Sequence, residues 1–164
     1  MANKVYINEE TAKTWASSGG DYTLTLGGLA ADGVRVGAQG DLGVAPRADQ
    51  YEWKLFIDGF DAAPVVGETV DVYLAQSDGT YIDGDVGTSD AAGSTNDLPN
   101  LMFLGSASVQ TTTAGDNLIV SGVCQIVQRY VSPVIHNDTA DGLLPQISGA
   151  SHKFILTPVP PEVQ

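Results

Sequence analysis

A chain of 164 residues with 20 acidic against 7 basic side chains carries a net charge of −13, a length for one domain and a field that repels nucleic acid. Hydrophobic residues make up 43%, which argues against wholesale disorder, and the one cysteine, Cys124, excludes an internal disulfide framework and a multi-cysteine zinc site. The first residues lack the apolar core of a secretory signal and no 18-residue apolar run occurs, so the expectation is a soluble protein made in a cytoplasm, with no membrane partner.

The predicted elements repeat with period two. Residues 1–10, MANKVYINEE, are polar around the patch Val5–Tyr6–Ile7. They read as an arm that orders only when something pairs with it. KVYI (4–7), TAKTWA (11–16) and VRVG (34–37) are short strand candidates, and DYTLTL (21–26) alternates Tyr22, Leu24 and Leu26 against Thr23 and Thr25. YEWKLFI (51–57) alternates Tyr51, Trp53, Leu55 and Ile57 against Glu52, Lys54 and Phe56. TVDVYLA (69–75) places Val70, Val72 and Leu74 on one face. LMFLGSASVQTTT (101–113) and NLIVSGVCQIVQRYVSPVI (117–135), with AGD between them, read as a hairpin. HKFILTPV (152–159) puts Phe154 and Leu156 opposite Lys153 and Ile155. The total is about eight or nine strands. Fifteen of the acids are Asp, a turn residue, and 19 glycines and 8 prolines mark the connections. No ten-residue stretch reads as an amphipathic helix. The expectation is an all-β fold, a β-sandwich or jelly roll over 11–157 with extended N- and C-terminal arms. The tail 158–164 carries Pro158, Pro160 and Pro161, which lack amide donors and favour an extended polyproline course.

The stretch 77–97 holds five aspartates and neither Lys nor Arg. Asp83, Asp85 and Asp90 are candidate ligands of an irregular calcium site. They do not follow EF-hand spacing, and no Glu lies between 69 and 161 to close such a loop. The competing reading, which the sequence favours, is a solvated loop whose Asp and Gly satisfy turn geometry. His136 and His152 are the only histidines, too few for a multi-histidine centre. HND at 136–138 reads as a strand-to-loop junction. No Gly-x-Ser-x-Gly elbow, Gly-x-Gly-x-x-Gly or Walker sequence is present, and no carboxylate pair is singled out. The expectation is therefore a protein that is not an enzyme and uses no cofactor. Cys124 and Trp53 read as core. Trp15 either packs under a sheet edge or anchors an interface.

Three stretches go further: TWASSGGDYTLTLGGLAADGVRVGAQGDLG (14–43), VDVYLAQSDGTYIDGDVGTSDAAG (70–93) and SHKFILTPVPPEVQ (151–164). In this order they resemble small virion structural proteins of tailed bacteriophages. The resemblance implies a head decoration, or cement, protein: a β-sandwich or jelly roll on the capsid exterior, often a homotrimer, stapling major capsid proteins together. That family has no catalytic residues to carry over. The interface candidates are Val5, Tyr6, Ile7, Trp15, Pro158, Pro160 and Pro161. Lys4–Ile7 could add a strand to a neighbour's edge, and the tail could lie in a neighbour's groove. Two alternatives stay open. One is a tail, fibre-adaptor or receptor-binding module with 77–97 as its exposed reader. The other is a hydrolase or carbohydrate-binding sandwich, although Tyr73, Tyr81 and Tyr130 are scattered.

Overall fold

The computed structural model describes residues 11–45, 47–145 and 151–159. Among these, the strands are β1 (Lys13–Ala16), β2 (Tyr22–Thr23), β3 (Gly33–Val36), β4 (Gly40–Asp41), β5 (Gln50–Ile57) and β6 (Thr69–Ser77). They continue with β7 (Ala91–Ala92), β8 (Met102–Ser108), β9 (Leu118–Gln125), β10 (Tyr130–Asp138) and β11 (Lys153–Pro158). Two short 3₁₀ turns, Asp83–Asp85 and Leu98–Asn100, are the only helical segments among the described residues. The fold is all-β.

The strands form two sheets. One runs β2-β1-β11-β5-β9; the other runs β7-β3-β10-β6-β8, with β4 also pairing β10. All pairs are antiparallel except β1 with β2. The alternation visible in the sequence sets the inner faces. Tyr51, Trp53, Leu55 and Ile57 of β5 are buried, as are Val70, Val72 and Leu74 of β6. Trp15, Phe154 and Leu156 join them from the first sheet, and Val131 and Ile135 from the second. This apolar layer between the sheets is the main core.

A second, smaller cluster covers the outer face of the second sheet. Val34, Val36, Ala75 and Val134 meet Leu98 and Leu101, with Ile82 and Val86 alongside. The acidic segment 77–97 is thus not a free excursion. It carries side chains that help roof this sheet, and its aspartates fasten it. Asp78 accepts from the Thr80 and Tyr81 amides at 2.7 and 2.8 Å, and Asp83 from the Gln76 amide at 3.1 Å. The solvated-loop expectation places the Asp side chains in turn geometry correctly but misses the apolar underside.

Three other expectations need correction. The hairpin between 101–113 and 117–135 does not form: β8 pairs β6, while β9 pairs β5 in the other sheet. The connection 109–117 crosses between sheets, tied by Phe60 N–H to Ala114 O and Val109 N–H to Glu68 O. Alternation and a Gly turn look the same whether the next strand joins its own sheet or the facing one. The run 117–135 is itself two strands, β9 and β10, split at 126–129. DYTLTL contributes only β2 as strand, though Leu24 and Leu26 are buried as its pattern requires. Finally, the strand at the C-terminal end passes through Pro158, which pairs with Tyr51, one residue beyond the expected boundary at Thr157. The proline is tolerated because β1 reaches only to Lys13 opposite Leu156, so among the described residues no strand asks Pro158 for a donor on that side.

Candidate functional site

The sequence-derived interface candidates divide sharply. Val5, Tyr6, Ile7, Pro160 and Pro161 lie outside the described residues. Pro158 is half-buried in β11. Trp15 is fully buried, so the packing reading holds and the interface reading does not: its ring packs against Tyr22 at 5.0 Å and Phe154 at 5.9 Å, and Nε1–H donates to Ala38 O at 2.7 Å. Gly40 leaves the space for this ring, since a Cβ there would collide with the indole.

The calcium candidates do not converge. Asp90 is committed to a bidentate pair with Arg35, at 2.7 Å for both bonds, and also accepts from Thr25 Oγ1 at 2.6 Å and the Thr25 amide at 3.1 Å. Burial raises the pKa of Asp90, but the bonds from Arg35 and Thr25 outweigh it and hold the carboxyl below its ordinary value. Asp83 turns to the Gln76 amide, and Asp85 occupies a left-handed conformation with φ 52°. Asp83 and Asp90 serve as fasteners of the loop, and Asp85 as one of its turn residues.

A different set does converge. One ligand atom each from Asp32, His136 and Asp138 lies within 4.8 Å of the others. His136 and Asp138 sit two apart on β10 and so share a face. Pairing of Asn137 with Gly33 brings Asp32, just before β3, alongside. His136 Nε2 lies 3.0 Å from Asp32 Oδ1; a carboxylate can only accept, so Nε2 carries the proton. These are the residues that could hold a divalent cation, although in this arrangement they make a histidine–carboxylate pair with a neighbouring acid. His152 is structural: its Nδ1 accepts from the Asp58 amide at 3.0 Å and its Nε2 donates to Leu144 O at 2.8 Å.

An open feature lies where β8 and β9, the edge strands of the two sheets, come side by side. A cleft of about 490 Å³ there is lined by Phe60, Ala107, Val109, Leu118 and Val120, with Asp116 at its rim. Exposed apolar side chains occur on both strands: Phe103 (54%) beside Tyr73 on the outer face of β8, Ile119 (58%) and Val123 (61%) on the outward face of β9, and Val127 (67%) just past its end. β9 alternates half-buried and exposed residues along all eight positions. Its half-buried Cys124 has a thiol pushed up to about 11 by burial, which makes it inert at neutral pH. Trp53 underlies this wall. A Cβ on Gly105 of β8 would come 3.2 Å from its ring and one on Gly122 of β9 2.8 Å, so both glycines make room for the indole.

Arg35 and Arg129 are spent on internal order away from this surface, and Arg47 ties down backbone at its end. Arg35 holds Asp90, and Arg129 holds Asp41 with bonds of 2.8 and 2.6 Å. The Arg129 bond keeps the Asp41 carboxyl below its ordinary value. Arg47 donates to Val127 O at 2.7 Å and pins the chain just past β9. Sequence reasoning misses the open wall, although a signal exists: residues 117–127, NLIVSGVCQIV, contain no charged side chain in a chain of net −13.

No protein-family model matches this chain. A search of curated proteins likewise finds no match.

Proposed function

We propose that this chain is a structural virion protein of the decoration (cement) type, which binds the exterior of a bacteriophage capsid and reinforces contacts between major capsid proteins. The observation that carries this reading is the open β8/β9 wall. A long uncharged edge strand that exposes Ile119 and Val123 on its outward face is a surface suited to protein contact. The strand order lends support. Among the strands of four or more residues, β1, β11, β5 and β9 make one sheet and β3, β10, β6 and β8 the other. Numbered along the chain, these are the first, eighth, third and sixth, facing the second, seventh, fourth and fifth. We infer jelly-roll connectivity from this order, a framework common among viral capsid and lectin domains. Fold alone does not assign a function, so the wall remains the main support. The sequence resemblance points the same way, and the net charge of −13 suits a protein that must not adsorb to packaged DNA.

A second reading has its own observation. Tyr73 and Phe103 form an aromatic pair at 5.2 Å with Phe103 exposed, a surface on which a sugar ring can stack. A tail or fibre-adaptor module that binds a receptor carbohydrate would use it. Copy number separates the two. In purified particles, quantitative mass spectrometry against the most abundant shell protein should give a ratio near one or a simple fraction of it. A ratio of a few hundredths would transfer the chain to the tail. Its absence from particles would end both readings.

A further inference from the structure

Among the described residues five strands have a partner on one side only, and four of them are protected. β2, β4 and β7 are two residues long. β8 is broken by a bulge: Val72 pairs Gly105 and Tyr73 pairs Phe103, leaving Leu104 extra. β9 alone is long and regular, pairing β5 over eight consecutive residues from Gln50↔Gln125 to Ile57↔Leu118. On its other side it has no partner strand among the described residues. It contains no Lys, Pro or bulge, the devices by which edges are normally blunted.

We propose that the free edge of β9 accepts, as an added strand, the Lys4–Ile7 segment of a second copy of this chain. This rests on the reading of the open wall as a contact surface and does not depend on where in a virion the protein sits. Three observations select the occupant. First, of the chain outside the described residues, 160–164 is led by two prolines, whereas 4–7 combines Val5, Tyr6 and Ile7, a strand-forming trio. Second, charge is complementary. Lys4 is the only charged side chain in residues 1–7, and it would be delivered to a molecule of net −13 with Asp116 at the rim of the cleft.

Third, reach favours a neighbour over the same molecule. Lys13 pairs Leu156, Leu156 pairs Trp53 and Trp53 pairs Gly122, so β1 and β9 are three strands apart along one row. A strand added beyond β9 would lie about 19 Å from β1 at the usual inter-strand spacing. Ile7 precedes Lys13 by six residues, which extend to about 20 Å. Self-insertion would draw the chain taut straight across the sheet, with nothing left to turn alongside β9. Donation to a second copy carries no such limit. Val5 and Ile7, two apart, would share one face of the added strand against the apolar cleft, leaving Tyr6 on the face of Ile119 and Val123.

The test is light scattering on the full chain across a concentration series, with amide hydrogen exchange of residues 118–125 followed on the same samples. The variants are Val5→Asp with Ile7→Asp, Ile119→Lys, Val123→Lys, and Thr95→Lys as a charge-matched change on the opposite flank. Self-association with concentration-dependent protection of 118–125 is expected for the parent chain and for Thr95→Lys. The arm variant and either β9 variant should weaken association about tenfold or more. Combining arm and β9 changes should add little, because both remove one contact. Association that survives the arm variant but not the β9 variants would overturn the proposal and make β9 pair with another surface. Protection independent of concentration would overturn donation between copies in favour of self-insertion. A parent chain that stays monomeric with unprotected 118–125 would overturn it outright. None of these outcomes bears on particle copy number, so the virion reading stands or falls separately.

Discussion

The two flanks of this sandwich end in opposite ways. At the β2/β7 flank the sheets stop in two-residue strands, and the space between them is plugged by Trp15 with Tyr22 and Phe154. Polar fasteners then tie the loops down: Arg35 with Asp90 and Thr25 on one side, Arg129 with Asp41 on the other. At the β8/β9 flank there is a cleft, a full-length edge strand and exposed apolar side chains on both strands. One flank spends its residues on stability. The other leaves apolar side chains exposed. Substitutions should therefore act on different observables according to the flank they fall in.

The largest effect is expected at the closed flank. Trp15→Ala empties a buried indole site and should cost about 3–5 kcal/mol, read as a lowered denaturation midpoint at unchanged slope. Preserved stability would mean that the plug is not what closes this flank. Next comes Asp90→Asn, which breaks a pair whose side chains are 24% (Arg35) and 12% (Asp90) exposed and should cost about 1–3 kcal/mol at neutral pH. Its pH dependence has a definite sign. The folded carboxyl is held below the ordinary value of 3.8, so its contribution is complete above that pH and is lost as pH falls through the lowered folded value. The gap between parent and Asp90→Asn should shrink as acid unfolding is followed below pH 3.8. A gap that stays constant would remove the ion pair as its cause.

At the open flank the order reverses. Val123→Lys should shift stability by no more than about 0.5 kcal/mol while weakening self-association, because the side chain already faces solvent. Thermal denaturation of dilute protein checks the first half. A large loss there would show β9 to be part of the core rather than a contact edge. The smallest effect is expected at Ser132, whose buried hydroxyl has no hydrogen-bond partner among the described residues. Ser132→Ala should be neutral or raise stability by about a few tenths of a kcal/mol, since no bond is lost and an unpaired polar group is removed. Calorimetry of the two proteins side by side checks it, and a clear loss of stability would reveal a partner for the hydroxyl.

Much of this contrast is legible in the sequence, but unevenly. The period-two pattern in 51–57 alone identifies the four buried residues of β5, because β5 lies inside a sheet with one face on the core. The same reasoning fails at 114–116, where the chain crosses between sheets: a turn signal reports a change of direction, not which sheet the next strand joins. The role of Asp90 is out of reach, since its partners Thr25 and Arg35 are 65 and 55 residues away in the chain. Asp32 and His136 are likewise brought together across 104 residues by the pairing of β3 with β10. The open wall is nearer to hand. The uncharged run 117–127 in an acidic chain suggests core, yet alternate residues of β9 are exposed. Periodicity gives a strand two faces without telling which strand lies at the edge.

Each flank holds one of the two tryptophans. Trp15 is packed within the closed one, and Trp53 lies between Gly105 and Gly122 beneath the open one. Both indoles are dry, so both should emit at short wavelength, yet they report on different places. Removing either as Trp→Phe leaves a single indole fluorophore for the other. A strand arriving at β9 should then change the emission of Trp53 and leave that of Trp15 unaltered, giving the molecule a built-in optical reading of which side has been engaged.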